Sequence, residues 1–536
     1  MDNLRFVLFM LFAFLVYSLY EAWQIDYGPK KLAQATSENS SNPAAPAIAS
    51  SSPISLSEAG SSKNQKIHVL TDVLDLELST TGGDIRLLDL RLYPEEKGTP
   101  DKPVRLLNEE TGNYFVAQSG FITSGGNAPN HQAQWQAAAT EYRMQPGENE
   151  IRIPLTWTDK SGINVTKIYT FTRSSYTIKV EHEVHNNSNQ AWTARQYAQL
   201  QRKRPDKSSD SQLVRTYTGG VYYTSEDKYK KVAFDDMADD NLNRTATDGW
   251  LAMIQHYFLA AWVPSNGQNN TYYTKNLGDE RYLIGSYSSD HEVKPNERYT
   301  TGLTLYAGPK IQRDLEAIAT GLELTIDFGA LTIIAKPIFW LLDKFHALYG
   351  NWGWSIISVT LVIKLLFYKL SEASYRSMAN MRKLQPQLKI LKDRYGEDKQ
   401  RYNQAMIELY KQEKVNPLGG CLPILVQIPV FISLYWVLVE SVELRQAPFL
   451  LWLSDLSDKD PYFILPLLMG VSMYIQQKLN PSTMDPVQER VMKMFPFIFT
   501  VFFAFFPSGL VLYWVVNNTL SIVQQWYITK QIEKTA

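Results

Sequence analysis

Three polar residues recur at helical spacing inside an apolar stretch of the last third of the chain. Residues 353–370 read GWSIISVTLVIKLLFYKL, and Thr360, Lys364 and Tyr368 stand four apart, on one helix face. A lysine inside a membrane-spanning helix costs about 3 kcal/mol on insertion scales. We therefore expect this face to look into a polar groove that the remaining chain builds and positions. Alternatively, Lys364 extends toward the membrane surface, because it lies only about six residues, or roughly 9 Å, from the helix end.

Further polar side chains occur in the apolar stretches that follow. Tyr513, Asn517, Ser521 and Gln524 stand about one turn apart in the last stretch, and they share one face. Isolated polar residues in membrane helices usually join helices to each other. A stripe accompanied by a charge instead indicates a hydrophilic surface. Gln427 and Thr500, in two other stretches, are candidates for the same groove.

Composition and motifs exclude several classes of function. The 536 residues carry 53 Lys and Arg against 54 Asp and Glu, which argues against a nucleic-acid-coating protein. The single cysteine, Cys421, allows no intramolecular disulfide and is interpreted as a small packing residue. The sequence has no His/Cys cluster with metal-ligand spacing and no nucleotide or hydrolase motif. We expect no metal, no cofactor and no enzymatic activity.

The first 65 residues predict a membrane anchor and a flexible linker. An apolar run from Phe6 to Tyr20 lacks a following small-residue cleavage site and is followed by aromatic residues typical of a membrane interface. We favour a retained anchor over 1–28, with its N-terminus in the cytoplasm, over a cleaved signal peptide. Residues 29–65 are rich in Ser, Ala, Pro and Asn and cannot bury a core.

Residues 66–310 follow a period of two and predict a large antiparallel β-sandwich. Alternating runs such as 72–78 and 176–184 are separated by turn residues such as Gly82 and Gly83. His182 and His185 should point to opposite sheet faces, a poor arrangement for a shared metal. Four tryptophans are interpreted as core and rim residues, with sugar binding as the alternative; they are Trp157, Trp192, Trp250 and Trp262.

From residue 311 the period becomes helical, and the pattern predicts a bundle with six membrane crossings, both termini inside. The segment 371–416 reads as a helical hairpin turning near Gly396, and its basic surplus places it in the cytoplasm. It is either a solvated hairpin or a docking surface for a ribosome or targeting receptor through Arg382, Lys383, Lys392 and Arg394. The other predicted segments are interfacial helices 311–352, spans 353–370, 417–440, 461–478, 492–507 and 508–529, an acidic outer loop 441–460, an inner loop 479–491 and a tail 530–536.

Several motifs, in order along the chain, resemble the YidC/Oxa/Alb family of membrane protein insertases, and the whole chain resembles its Gram-negative YidC form. They are Gln385-Pro386, KVNPLGGC at 414–421, QIP at 427–429, SVELRQAP at 441–448 and FPSGLVLY at 506–513. The resemblance implies a multi-pass protein of the bacterial inner membrane that inserts and folds nascent membrane proteins, alone or beside the SecYEG channel. It also implies a periplasmic β-supersandwich, related in shape to sugar mutarotases, and five core helices around a groove open to cytoplasm and lipid.

The resemblance also assigns residues to the groove. Thr360, Gln427, Tyr513 and Trp514 match groove or client-contacting positions, and Lys364 stands where the family generally has an arginine. Lysine keeps the charge but lacks the planar bidentate fork. Two other classes remain open on the residues alone. They are a transporter or channel for an anionic solute, which predicts an inverted repeat that we do not find, and an envelope carbohydrate-binding protein.

Overall fold

The computed structural model describes residues 65–123, 127–205, 216–265, 267–396, 398–413, 422–479 and 486–535. The predicted anchor, the linker up to residue 64, and Cys421 lie outside these ranges. The described chain divides into two compact units. A sandwich unit contains residues 65–327 together with Val439–Arg445, and a helical unit contains the described parts of Phe328–Leu438 and of the chain from Gln446 onward.

Two sheets form the sandwich unit, as the period-two pattern predicts. In the described residues the first sheet has the order β14-β17-β18-β11-β5-β3-β2-β1-β7, with β4 added on β3 and β19 on β11. The pairs are antiparallel except β1 with β7, which is parallel and departs from the prediction. Its strands are β1 Lys66–Leu70, β2 Leu74–Ser79, β3 Ile85–Pro94, β4 Pro103–Leu107, β5 Phe115–Ile122, β7 Glu141–Arg143, β11 Trp192–Lys203, β14 Asn243–Ala246, β17 Asn270–Gly278, β18 Arg281–Ser288 and β19 His291–Val293.

The second sheet is antiparallel throughout its described residues. Its order is β13-β12-β15-β16-β20-β10-β9-β8-β6. The long central ladders, such as β10 with β20, join segments far apart in sequence. Its strands are β6 Gln136–Ala137, β8 Glu150–Thr158, β9 Ile163–Thr172, β10 Thr177–Asn186, β12 Gly219–Thr224, β13 Lys228–Val232, β15 Trp250–Ile254, β16 Phe258–Pro264 and β20 Arg298–Pro309.

Apolar side chains from both sheets fill the space between them. Along β10 the buried and exposed positions alternate, so His182 is fully buried while His185 is partly exposed, which confirms their opposite orientation. Trp192, Trp250 and Trp262 are also buried, as expected of core residues. The Trp262 indole nitrogen donates to the Gln199 carbonyl across the two sheets at 3.1 Å. These three rings are therefore part of the core and not a sugar-binding surface.

A buried ion pair also connects the two sheets. The Lys167 ammonium, on β9, donates to the Ser119 carbonyl of β5 at 3.0 Å and lies 4.0 Å from an Asp84 carboxylate oxygen. Burial lowers the pKa of Lys167 to about 8. The opposite charge of Asp84 partly offsets that effect, because it favours the ammonium form.

A short segment that follows the helix Leu422–Glu440 belongs to the sandwich unit. The His256 Nε2 atom is 2.8 Å from the Val439 carbonyl, and Arg445 Nη2 donates to the Pro94 carbonyl at 2.7 Å. Lys310 and Glu440 are both buried here, and each is the main opposite charge acting on the other. The sequence, interpreted as a loop outside a span, did not predict this attachment.

Helices make up the other unit, as the change of period predicts. In the sandwich unit α1 is Phe234–Asp239 and α2 is Gln312–Ile318. The remaining helices are α3 Thr332–Tyr349, α4 Trp352–Leu366, α5 Tyr368–Lys383, α6 Gln385–Tyr395, α7 Lys399–Gln412, α8 Leu422–Glu440, α9 Ile464–Leu479, α10 Pro486–Phe503 and α11 Ser508–Thr535.

The helix that carries Lys364 is shorter than the sequence predicts. It begins after Asn351, whose side-chain oxygen accepts a hydrogen bond from the Trp354 N–H, and it ends at Leu366 in place of residue 370. Phe367 leaves helical geometry, and α5 continues at an angle of 66° to α4. Thr360 and Tyr368 therefore do not share one continuous helix face.

No helix of the described residues is by itself both long and apolar enough to cross a bilayer. The bent pair α4 and α5 meets that criterion when taken together. The predicted six crossings therefore stay a prediction.

The predicted hairpin is present in the helical unit. α6 and α7 pack together on either side of a turn at Gly396, and the Asp398 side chain caps α7 by accepting from the backbone N–H groups of Gln400 and Arg401. Pro386 stands in the first turn of α6. It explains why α5 does not continue through this point, because proline has no N–H for the Arg382 carbonyl and its ring would clash with that carbonyl.

An aspartate of the predicted acidic outer loop has a structural task. Asp460 is buried, and its carboxylate accepts from the Trp452 indole at 3.0 Å and from the Leu465 backbone N–H at 2.7 Å. It thereby satisfies a free N–H group in the first turn of α9.

Candidate functional site

The buried face of α4 carries the predicted polar residues. Ile356, Val359, Thr360, Ile363 and Lys364 are buried, whereas Leu361, Val362, Leu365 and Leu366 are exposed. Thr360 is fully buried, and its hydroxyl donates to the Ile356 carbonyl within the same helix at 2.6 Å. The charged residue and the hydroxyl therefore both face the interior of the helical unit, and the apolar side chains face outward.

Lys364 is inserted between two helices. Lys364 is only 7% exposed, and its ammonium donates to the Ser521 hydroxyl of α11 at 2.7 Å. Ser521 in turn donates to the Asn517 carbonyl at 2.7 Å. Among the described residues no carboxylate lies within salt-bridge distance of Lys364, so its hydrogen-bond partner is a neutral group. The ammonium thus does not extend to the surface in this arrangement.

The polar stripe of α11 faces α4 and α5, as its spacing predicts. Besides Ser521, the Gln524 amide donates to the Tyr368 carbonyl at 3.5 Å. Tyr375 of α5 is buried close to Ser521. Ser521 is therefore the point where α4, α5 and α11 meet. Sequence reasoning included Ser521 in the stripe but not Tyr375, which stands in a segment predicted to be cytoplasmic.

Aromatic rings surround two further candidates, Tyr513 and Trp514. The Phe431 ring of α8 lies 4.7 Å from the Trp514 ring in an edge contact and 6.2 Å from the Tyr513 ring. Phe503 completes the cluster at 5.1 Å from Trp514. Gln427 precedes Phe431 by one turn on α8 and is partly exposed. Tyr513 and Trp514 lie on α11, the helix that also carries Ser521, but the rings they contact are aromatic side chains of α8 and α10.

Thr500 faces another helix. Its hydroxyl donates to the Pro496 carbonyl at 2.7 Å, and a Cβ placed on Gly470 of α9 would lie 2.1 Å from the Thr500 oxygen. Thr500 therefore packs against a glycine at the contact between α9 and α10. Its contacts thus lie at α9 and α10, whereas those of Lys364 lie at α4 and α11, and its assignment to the groove stays a prediction.

A second polar row on α11 was missed by the sequence reasoning. Asn518 and Gln525 are buried and face α9, where the Asn518 amide donates to the Ser472 hydroxyl at 3.1 Å and the Gln525 amide to the Leu479 carbonyl at 3.3 Å. Their spacing of seven residues is the available signal. It was overlooked because the neighbouring stripe contains more members.

The four basic residues proposed for partner binding differ in their surroundings. Lys383, Lys392 and Arg394 are exposed. The Arg382 guanidinium instead donates to the Leu479 carbonyl at the end of α9. Arg382 is thus tied to the helical unit, while the others are available to solvent. Among the described residues no three His, Cys, Asp or Glu side chains are grouped closely enough to hold a metal ion.

Two family models cover almost the whole described chain. The model described as YidC periplasmic domain matches residues 66–341, and the one described as 60Kd inner membrane protein matches residues 344–535. The boundary between them falls inside α3, so the first model covers the strands and the second covers most of the helical part.

Known proteins of similar sequence carry one name, Membrane protein insertase YidC. The one from Methylococcus capsulatus is 62% identical over 541 residues, which cover 100% of this chain and 99% of that protein. The one from Thioalkalivibrio sulfidiphilus is 51% identical over 556 residues, with 100% and 99% covered. A crystal structure of an active YidC insertase with its first transmembrane domain resolved is 18% identical, with 87% of this chain and 93% of that chain covered and a TM-score of 0.39. The sequence matches extend over both units, and the chain belongs to the YidC family of membrane protein insertases.

Proposed function

We propose that the interior face around Lys364 receives the hydrophilic segment of a client protein while the client's apolar helix moves into lipid. The observation that carries this proposal is the Lys364 ammonium, buried between α4 and α11 with a serine hydroxyl as its partner. Thr360 and Asn517 extend the polar face along these two helices. Gln427, Tyr513 and Trp514 are proposed to contact the client beside it.

Electrostatics explains why an ammonium with a neutral partner suits this task. A client carboxylate about 8 Å from the ammonium gains about 2 kcal/mol at an effective dielectric constant near 20. A carboxylate of the protein at Lys364 would cancel that attraction. The Ser521 hydroxyl satisfies one hydrogen bond of the ammonium but leaves its charge uncompensated. The attraction therefore favours acidic and polar client segments over apolar ones.

The surrounding architecture is proposed to follow the family. The helices would cross the inner membrane several times, with the sandwich unit in the periplasm and the α6–α7 hairpin in the cytoplasm. The exposed Lys383, Lys392 and Arg394 would then face a ribosome or targeting receptor, and the SecYEG channel would be a further partner. The insertion itself involves no bond making or breaking that would need a catalytic residue or cofactor.

Substitutions of Lys364 test the proposal in proteoliposomes that contain the full-length protein. The client is a single-span protein with a short acidic N-terminal tail, and insertion is measured by protection of the translocated tail from protease. Lys364→Ala and Lys364→Glu should lower the insertion rate by about 30-fold or more, the equivalent of about 2 kcal/mol. Lys364→Arg should retain most of the activity because it keeps the charge.

Two controls separate this effect from general damage. Lys369→Ala removes an exposed lysine of α5 and should leave insertion unchanged. A client whose tail carries no charge should respond much less to the Lys364 variants. Full activity of Lys364→Glu toward the acidic client would contradict the proposal.

A further inference from the structure

A cavity of about 590 Å³ opens on the sandwich unit, and none of the residues assigned to insertion lines it. It lies between the connection from β3 to β4, the start of β5 and the end of β11. Arg202, Phe115 and Leu106 are buried in its wall, whereas Glu95, Asp101 and Lys102 are exposed. Its volume falls in the range of small-ligand sites, roughly 300 to 1,000 Å³.

Arg202 is the unusual member of this wall. It is 8% exposed, and its guanidinium lies over the Phe115 ring at 4.6 Å. Its Nη2 atom donates to the Gln255 side-chain oxygen, and its Nη1 atom is buried with no hydrogen-bond acceptor among the described residues. Burial lowers the pKa of Arg202 to about 10, and no carboxylate of the described residues offsets this effect.

Another arginine that lines the same cavity, Arg105, is paired with a carboxylate. Arg105 donates through two nitrogens to the two oxygens of Asp89, at 2.9 and 3.0 Å. Guanidinium groups in proteins commonly form such bidentate pairs with carboxylates. A buried cation without a counter-charge is costly, and an unsatisfied buried donor is rare in native proteins. Arg202 therefore has the properties of a ligand-binding group more than those of a structural one.

We propose that this cavity binds the free carboxylate of a short peptide or peptide C-terminus, with Arg202 as its counter-charge. The other charged residues of the wall are mixed in sign, which disfavours a polyanion and suits a group carrying one negative charge. They are Asp89, Glu95, Asp101 and Glu110 against Lys102, Arg105 and Lys203. The amide side chains of Asn108 and Asn113 also line the cavity and match the hydrogen-bonding groups of a peptide backbone. This site is separate from the proposed groove and does not depend on it.

Binding of tri-alanine to the full-length protein in an uncharged detergent tests the proposal. We expect calorimetry or ligand-observed NMR to give a Kd of about 1 mM or tighter. Tri-alanine amide lacks the carboxylate and so loses a hydrogen bond between charged groups. Its Kd should be about tenfold higher or more. Arg202→Gln should abolish the difference between the two peptides. Absence of tri-alanine binding, or equal binding of acid and amide, would overturn the proposal.

Further variants keep the test decisive if Arg202→Gln does not fold. Asn113→Trp places a bulky ring at an exposed position of the cavity and should weaken tri-alanine binding about tenfold or more. Lys179→Trp, at an exposed position of β10 outside the cavity wall, should leave binding unchanged. Unaltered binding to Asn113→Trp would count against the site.

Inorganic phosphate is the competing anion. Tighter binding of inorganic phosphate than of tri-alanine would overturn the peptide assignment.

Discussion

Replacing Gly470 by alanine tests the packing of Thr500 of α10 against α9. The new Cβ would lie 2.1 Å from the Thr500 hydroxyl oxygen, but 3.4 Å from Thr500 Cβ and 3.6 Å from the Pro496 carbonyl oxygen. The clash therefore involves a single atom. Thr500 escapes it by rotating its side chain, which breaks its 2.7 Å hydrogen bond to Pro496.

The expected free energies follow from this geometry. Overpacking costs about 1 to 3 kcal/mol, while glycine to alanine in a helix gains at most about 1 kcal/mol. Gly470→Ala should therefore destabilise the protein by about 1 to 2 kcal/mol. In a Thr500→Ala background the clashing oxygen is absent, so the same substitution should be neutral or stabilising by up to about 1 kcal/mol. The coupling energy between the two sites is then about 2 kcal/mol.

Reversible unfolding of the full-length protein in mixed detergent micelles measures the cycle. Thr519→Ala is a matched control, because its exposed hydroxyl makes the same kind of bond, to the Val515 carbonyl at 2.8 Å. Gly470→Ala should show no coupling to it. Equal destabilisation by Gly470→Ala in the native and Thr500→Ala backgrounds would refute the reasoning. Thr500→Ala should also retain insertion, whereas a loss of activity without a loss of stability would return Thr500 to the groove.

Two further predictions concern buried ionisable groups. Burial lowers the pKa of His256 to about 4. Between pH 4 and about 6.5 the folded state therefore binds fewer protons than the unfolded state. The free energy of unfolding should fall by at most about 3 kcal/mol as the pH drops from about 6.5 to 4. Urea unfolding should give a shallower pH slope for His256→Gln, and an unchanged slope would contradict this. Lys167→Met, which removes the cation 4.0 Å from the buried Asp84 carboxylate, should destabilise the protein by about 3 to 5 kcal/mol. Lys364→Met removes a cation without a carboxylate partner and should be neutral or stabilising while lowering insertion, and a destabilisation equal to that of Lys167→Met would contradict the distinction.

Local patterns predicted the elements better than their contacts. Period-two alternation located β10, and the turn at Gly396 located the hairpin, because both depend on residues close in sequence. Sheet order did not follow, since the pairing of β5 with β11 joins segments about 80 residues apart. The end of α4 at Leu366 carries no proline or glycine signal, and the predicted helix accordingly ran on to residue 370.

The candidate site was predicted to the extent that helix periodicity determines a face. The spacing of Ser521 and Gln524 placed both on one face of α11, where Ser521 contacts α4 and Gln524 contacts α5. Periodicity does not say which neighbour each face meets, so Thr500 was grouped with Lys364 although it packs on Gly470. Charge counting likewise treated Asp460 as a marker of an outer loop, whereas its carboxylate caps α9.

The four buried cations of the part of the chain that the structure describes fall into two classes, and the difference bears on function. Lys167 has Asp84 and Lys310 has Glu440 as opposite charges, an arrangement that offsets the cost of burial. Lys364 and Arg202 have a serine hydroxyl and a glutamine oxygen as partners, which satisfy hydrogen bonds but leave the charge uncompensated. A packed fold gains nothing from such a charge, because an apolar side chain of similar size would cost less. An anionic group supplied from outside the chain does gain from it. The same electrostatic reasoning thus connects the proposed groove and the proposed carboxylate site, although the two lie in different units and are tested by independent measurements.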